Sequence, residues 1–110
     1  MGGDFVDQGA KMTRSDELEV SIERKSVKYA REKHGAIGIK FKDPSRRNAP
    51  DRLFLFPGGK VCFIEFKRDG EEPREGQIEY QFSLRRLGFR ASFCDNLTDA
   101  KEFLDHVANL

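Results

Sequence analysis

Four short segments of the chain carry apolar residues at alternate positions or in continuous runs, which is the pattern of β-strands. They are Ile37 to Phe41, Leu53 to Phe56, Val61 to Lys67 and Phe89 to Cys94. The second and third are joined by Pro57-Gly58-Gly59-Lys60, whose glycines favour a tight turn. This part of the sequence therefore predicts a β-hairpin.

Three further segments repeat their apolar residues every three or four positions and predict helices. The first begins at the N-cap Ser15 and ends at Gly35, and the second runs from about Gly76 to Leu87. We expect the second helix to turn five side chains toward the core, namely Ile78, Tyr80, Phe82, Leu84 and Leu87. A closing helix, capped by Asn96 or Thr98, presents an apolar stripe formed by Leu97, Ala100, Phe103, Leu104 and Val107.

The order of these elements, α-β-β-β-α-β-α, predicts an α/β fold with a mixed central sheet flanked by helices. At 110 residues, the chain has the length of one ordinary domain. We assign residues 1–14, which are Gly-rich and unpatterned, to a flexible leader, and residues 15–110 to a single domain.

Composition argues against several classes of protein. The sequence has no run of about 18 apolar residues, and its first residues lack the basic and apolar regions of a secretory signal, so we expect no membrane partner. Cys62 and Cys94 have no nearby Cys or His at metal-binding spacing. That arrangement favours reduced, buried thiols in a cytosolic protein.

Positive charge is concentrated in one stretch, although the net charge is only +1. Residues 24–47 contain nine Lys or Arg against two acidic residues, a local net charge of +7. Such a cluster can bind the phosphate backbone of a nucleic acid, or it can be a solvated surface. Four of its cations directly precede Asp51 and are candidates for DNA contacts: Lys40, Lys42, Arg46 and Arg47.

Three charged side chains should meet at one end of the predicted hairpin. Glu65 and Lys67 alternate onto the same strand face, and the antiparallel partner strand starts near them, at Asp51. Two adjacent carboxylates repel unless a cation lies between them, and oxygen ligands favour Mg²⁺ or Mn²⁺. The Phe66 carbonyl is a further candidate ligand. Lys67 could orient or help deprotonate a water, or stabilise charge that develops on a phosphate.

The motif Pro50-Asp51 followed by Glu65-Phe66-Lys67, in this order of elements, resembles the PD-(D/E)xK nuclease superfamily. From about Ser15 to Leu104, the sequence resembles the VRR-NUC (virus-type replication-repair nuclease) family in its small stand-alone form. The resemblance implies a restriction-endonuclease-like core with an extra C-terminal helix and a metal-dependent phosphodiesterase. It makes Asp51 and Glu65 metal ligands and Lys67 the catalytic lysine.

Two more site residues follow only from the resemblance. The family has a Glu on the first helix, for which we prefer Glu19 as a metal ligand, with Glu23 as the alternative. Gln77 matches a glutamine of the family's second helix that could hold the catalytic lysine or a metal-bound water. Asn48 stands where family members usually have Gly, and after Gly it is Asn that best tolerates the left-handed conformation.

These expectations combine into a structure-selective DNA endonuclease that uses Mg²⁺ or Mn²⁺ and no small-molecule cofactor. No finger, helix-turn-helix or long reader loop stands out in the sequence, which favours selection by DNA shape. One active site cuts one strand, and stand-alone members of the family imply a homodimer that resolves four-way (Holliday) junctions. The alternatives are a flap nuclease, a restriction-type enzyme and a non-catalytic DNA-binding module on a nuclease-like fold. We expect it in the cytoplasm of a bacterium or of a phage-infected host.

A stable homodimer needs an apolar interface. We expect the second and closing helices to supply it, because their stripes carry more large side chains than one small sheet needs. The side chains in question are Phe82, Leu84, Phe103, Val107 and Leu110.

Overall fold

A computed structural model describes residues 14–110, with side chains from residue 19 onward. Its elements are α1 (Arg14–His34), β1 (Ile37–Lys40), β2 (Arg52–Leu55), β3 (Val61–Phe66), α2 (Glu75–Arg86), β4 (Arg90–Cys94) and α3 (Leu97–Ala108). The leader predicted for residues 1–14 lies outside the described residues except for Arg14, which already belongs to α1. Ser15, the predicted N-cap, therefore lies inside the helix.

The four strands form one mixed sheet in the order β1-β2-β3-β4. β2 pairs antiparallel with both β1 and β3, while β3 and β4 run parallel. A parallel pair needs a crossover connection between its strands, and α2 supplies it. The predicted α/β fold class and order of elements are confirmed.

β3 is buried on both faces, because successive side chains of a strand point to opposite sides of the sheet. One face joins a larger core against α1 and α3, through Cys62, Ile64 and Phe66. The other face carries Phe63, which packs with Tyr80 and Leu84 of α2 in a smaller core. Polar side chains on this strand are therefore buried together with the apolar ones.

α2 is rotated about its axis relative to the predicted orientation. Tyr80 and Leu84 face the sheet as expected, but Ile78, Phe82 and Leu87 are exposed, so the prediction is wrong for these three. Two glutamines take the core-facing positions instead, Gln77 and Gln81. They are stable there because each bonds a polar group of the sheet, as when the Gln81 amide donates to the Ser92 carbonyl at 2.9 Å.

α3 is fixed at both ends and in its middle. Asn96 caps its start, since the side chain accepts a backbone N–H at 2.8 Å, which confirms the first of the two predicted caps. At its other end, Lys60 of the hairpin turn donates to a carbonyl of the last turn at 2.5 Å. In between, Asp105 accepts the Tyr29 hydroxyl at 2.8 Å and lies 2.7 Å from His34 Nε2. These contacts join α3 to α1 and to the hairpin.

Both cysteines are buried and free, as predicted for thiols of the core. Burial raises the pKa of Cys62 to about 12 and that of Cys94 to about 11. The protonated thiol is a poor nucleophile and a poor metal ligand, so the two residues act as packing groups. Among residues 14–110, no helix is both long and apolar enough to cross a membrane.

The orientation of α2 can be tested by truncating one side chain on each face. Leu84 is 9% exposed and Phe82 is 59% exposed. Leu84→Ala should lower the free energy of unfolding by about 2 to 4 kcal/mol, because it leaves a cavity. Phe82→Ala should lower it by less than about 1 kcal/mol. Urea denaturation followed by circular dichroism measures both, and equal losses would contradict the orientation described.

Candidate active site

Asp51 and Glu65 lie opposite each other where β2 starts and β3 ends. The register pairs Arg52 with Ile64, so the next position on each strand sets Asp51 opposite Glu65. Asp51 is held in place because its Oδ2 accepts the Phe66 backbone N–H at 2.8 Å. The hairpin thus brings together the two carboxylates that the sequence placed at this end.

Lys67 follows β3 directly and completes the group. Its Nζ lies 3.9 Å from Glu65 Oε2 and 3.8 Å from Glu71 Oε2. The side chains of Lys67 and Glu65 are only 5% and 9% exposed, whereas that of Glu71 is 37% exposed. The ammonium is therefore held between a buried carboxylate and one at the surface.

Gln77 holds Glu65 and not Lys67. Its Nε2 donates to Glu65 Oε2 at 2.9 Å, and its Oε1 accepts the Arg74 backbone N–H at 2.9 Å. With both ends of the amide bonded, the side chain has one orientation at the start of α2. The amide thus bonds the carboxylate rather than the lysine, and its alternative role of holding a metal-bound water stays a prediction.

α1 brings two glutamates to this end of the sheet. Glu23 is bound by Arg52, whose Nε lies 2.6 Å from Glu23 Oε2. Glu19, one turn earlier, forms a longer ion pair with Arg68, at 3.6 Å, and its charge also acts on Glu65. Glu23 is thus committed to a short ion pair, but the charges of both glutamates act on the carboxylate group, Glu23 on Asp51 and Glu19 on Glu65.

A cavity of about 480 Å³ opens beside Asp51, and we call it the basic cavity. Its wall contains all four cations predicted to contact DNA, namely Lys40, Lys42, Arg46 and Arg47. The guanidinium of Arg46 stacks on Tyr80, with its central carbon 4.6 Å from the ring centroid. The positive charges of the loop before Asp51 and of the end of β1 therefore lie in the same cavity as the Asp51 carboxylate.

Glu65 also carries an unsatisfied atom. Its Oε1 is buried without a hydrogen-bond partner, although buried polar atoms are nearly always bonded. A hard divalent cation would satisfy this oxygen, so the donor set fits such an ion. Within the described part of the chain, no three Asp, Glu, His or Cys side chains are grouped closely enough to hold a metal. Joint ligation by Glu19, Asp51 and Glu65 would therefore require side-chain movement.

Comparison with known proteins assigns the chain to a family. No family model matches the sequence. The chain is 41% identical over 78 residues to "Putative nuclease p44" of Acyrthosiphon pisum secondary endosymbiont phage 1, an alignment covering 71% of this chain and 83% of that protein. A solved structure described as "VRR_NUC domain" has the same fold, with a TM-score of 0.74 at 21% identity over 81% of this chain and 96% of that one. The chain belongs to the family of this phage nuclease, and its fold is that of the VRR_NUC domain.

The loop that lines the basic cavity is docked on the start of α2. Asn48 has the predicted left-handed conformation, with φ of 69°. Its Oδ1 accepts a hydrogen bond from Arg74 Nη2 at 3.3 Å. A Cβ on Gly76 would collide with the Asn48 amide, so the glycine is needed for this close approach. The loop before Asp51 is thus held by a hydrogen bond and by a close contact.

Burial and repulsion between like charges raise the pKa values of Glu19, Asp51 and Glu65. For Glu65, burial and then the charge of Asp51 raise the pKa from 4.5 to about 8. Burial also raises the pKa of Asp51, and Glu23 adds to this effect. For Glu19, burial raises the pKa and Glu71 adds to it. A bound cation would act in the opposite direction, because it favours the ionised forms.

Sequence reasoning missed three charged neighbours of the site: Arg52, Arg68 and Glu71. Arg52 directly follows Asp51, and a lone arginine in an apolar strand was a signal that a buried carboxylate would be found nearby. Arg68 and Glu71 lie in a charged turn, where no periodicity marks them. They meet because the Glu71 side chain accepts the Arg68 backbone N–H at 3.1 Å.

The raised pKa of Glu65 predicts how stability depends on pH in the absence of metal. Between about 4.5 and about 8, the folded protein keeps a proton that the unfolded chain releases. The free energy of unfolding should therefore fall as pH rises through this window, with a contribution of up to about 1.4 kcal/mol per pH unit. Urea denaturation in EDTA at several pH values measures the slope.

Glu65→Gln should reduce this slope, because the amide does not titrate. Glu79→Gln, a matched change at an exposed position of α2, should leave it as in the wild type. Identical slopes for all three proteins would show that Glu65 titrates normally.

Proposed function

We propose that this protein is a Mg²⁺- or Mn²⁺-dependent DNA endonuclease that hydrolyses phosphodiester bonds. The observation that carries the proposal is the Glu65 carboxylate, which is buried opposite Asp51, beside Lys67, with one oxygen unsatisfied. A buried, ionised and incompletely bonded carboxylate costs free energy unless a cation compensates it. Binding of an ion explains why the fold keeps this group buried.

Asp51, Glu65, Glu19 and the Phe66 carbonyl are the groups that would hold the ion. When bound, it would supply Lewis-acid activation of a phosphate and of a water. Lys67 would orient the attacking water and stabilise the negative charge that develops on the phosphate. Gln77, whose amide bonds Glu65 at 2.9 Å, would keep that carboxylate in the orientation needed for ligation.

The basic cavity would receive the DNA backbone and lead it to Asp51. Contacts to phosphates position a nucleic acid without reading its sequence. Arg46 is held in place through Tyr80, whose hydroxyl donates to Asp43 Oδ2 at 2.9 Å. Because this guanidinium is already ordered, it loses little conformational entropy when a phosphate binds.

We propose branched DNA as the substrate, with a four-way junction preferred to a flap. All three helices of the described chain contribute side chains to the two cores or contact them. In the described residues a strand separates each helix from the next, so no helix-turn-helix reader of bases is formed. Selection by the shape and deformability of the DNA is then the mechanism that the fold favours.

Cutting both strands of a junction requires a homodimer, and we place its interface on the sheet. Leu84 and Val107, predicted as interface residues, are buried in the chain's own cores, so the prediction is wrong for both. Phe82 and Leu110, from the same prediction, are exposed, at 59% and 52%. A further uncovered apolar patch lies on β1 and β2, where Ile37, Ile39 and Leu55 are 59%, 40% and 39% exposed. The register pairs Ile37 with Leu55, which makes the patch continuous. A second copy would cover it.

The metal proposal is tested by removing one ligand at a time. Asp51→Asn and Glu65→Gln should abolish cleavage and the binding of Mn²⁺ seen by calorimetry, while the fold persists because repulsion is relieved. Glu19→Gln should weaken Mn²⁺ binding. Glu23→Gln should mainly reduce stability, since its charge is paired with Arg52. Lys67→Ala should lose most of the cleavage rate and keep its metal affinity. Full cleavage in EDTA would be incompatible with this scheme.

The substrate and assembly proposals are tested together. Light scattering at micromolar concentration should report about twice 12.6 kDa, and Ile39→Lys should give the monomer while Phe82→Lys stays dimeric. A panel of four-way junction, 5′ flap, 3′ flap, linear duplex and single strand should show paired cuts on the junction. A monomer that cuts flaps and leaves junctions intact would replace the junction proposal with flap cleavage. Metal-independent binding without cleavage would favour a non-catalytic module.

A further inference from the structure

A row of exposed cations runs along α1, outside the basic cavity. Arg24, Lys28 and Arg31 are all exposed, and their spacing of four and three residues places them on one side of the helix. We call these three residues the α1 ridge. Lys33 is not part of it, because it bonds the Tyr29 hydroxyl at 2.9 Å on the side of α3.

The α1 ridge lies on the flank of α1 that borders β1. Val27 packs over Gly38 of β1, where a Cβ would come within 3.1 Å of Val27 Cγ2. Arg24 and Arg31 are three residues before and four residues after Val27, so they are its neighbours on the helix surface. Arg24 and Arg31, the two ends of the ridge, therefore lie on the β1 side of the outer face of α1.

Lys40 connects the α1 ridge to the basic cavity. It lies two residues after Gly38 on the same face of β1, and its partner in the register is Arg52. Because Arg52 binds Glu23, Lys40 is level with the helical turn that contains Arg24. Lys40 also lines the basic cavity, and its charge acts on Asp51. Positive charge thus continues from the carboxylates to the far half of α1.

Little negative charge interrupts this path. Lys28 has a partner in Glu32, but the two atoms are 3.9 Å apart, and both side chains are more than half exposed. Such a pair is weak and gives way easily to a phosphate. Glu23 is turned to Arg52 and so does not oppose Arg24.

We propose that the α1 ridge binds the phosphate backbone of a DNA arm that leaves the active site, which rests on the proposed DNA endonuclease function. From Glu19 to Arg31 the helix rises about 18 Å, at 1.5 Å per residue. At 3.4 Å of duplex axis per base pair, this corresponds to about five base pairs. By the same measure Arg24 is about two base pairs from Glu19, so the ridge contacts phosphates about two to five base pairs from the cleaved bond and extends the bound length of DNA beyond the cavity.

The test compares two double variants with the same loss of charge. Arg24→Gln with Arg31→Gln removes the ends of the ridge, and Arg86→Gln with Arg90→Gln removes two exposed arginines of α2 and of β4, the strand at the other edge of the sheet. Binding of a fixed four-way junction is measured by fluorescence anisotropy in Ca²⁺ over a range of salt concentrations. The ridge variant should reduce the salt slope by about 1.8, or about 0.9 per lost contact, and the control should leave it unchanged.

A second measurement locates the contact on the DNA. Neutral methylphosphonate linkages about five base pairs from the cleavage site should weaken binding by the wild type and have no further effect on the ridge variant. Equal salt slopes for the two double variants, or equal effects of the neutral linkages on wild type and ridge variant, would overturn the inference. In either case a wild type that still binds and cuts DNA leaves the endonuclease proposal intact, whereas a wild type that binds no DNA overturns both.

Discussion

Burying a carboxylate between two layers of side chains costs free energy, and the arrangement around Glu65 follows from that constraint. The strand that carries Glu65 is covered by helices on both faces, so water cannot solvate the group. Gln77 and Lys67 compensate one of its oxygens, and the other has no partner. The neighbouring Asp51 adds repulsion. A cation bound between these carboxylates would reduce both costs, which is the physical basis of the proposed metal site.

The remainder of the fold keeps these groups in register. The β2–β3 pairing sets the separation of Asp51 and Glu65, and the bond from the Phe66 N–H prevents Asp51 from turning away. The Arg52–Glu23 ion pair fixes α1 against β2. This contact determines the position of Glu19, one turn earlier on α1. The positions of the carboxylates therefore depend on β2, β3 and α1. Each of these elements is bonded to another of the three near the site.

The sequence was sufficient for the elements and for the hairpin, because alternation and turn residues are local signals. It also identified Asp51, Glu65 and Lys67, since the antiparallel pairing follows directly from the Pro57-Gly58-Gly59-Lys60 turn. The prediction failed for the face of α2. Glutamines normally indicate an exposed face, and only their hydrogen-bond partners on the strands explain why Gln77 and Gln81 face the core. Similarly, the pairing of Glu23 with Arg52 could not be predicted, because the tertiary structure determines which residue of α1 the Arg52 side chain meets. The periodic pattern of apolar residues thus contains no information on which polar side chains pair across long distances in the sequence.

The close approach of Asn48 to Gly76 has a consequence for protein engineering. A loop carrying several cations looks like a module that could be exchanged between relatives to alter substrate preference. Here its conformation depends on a glycine that lies 28 positions further along the chain, in the first turn of a helix. A transplanted loop would keep its shape only if that turn were transferred with it, and recombination libraries should treat the two segments as one inherited block.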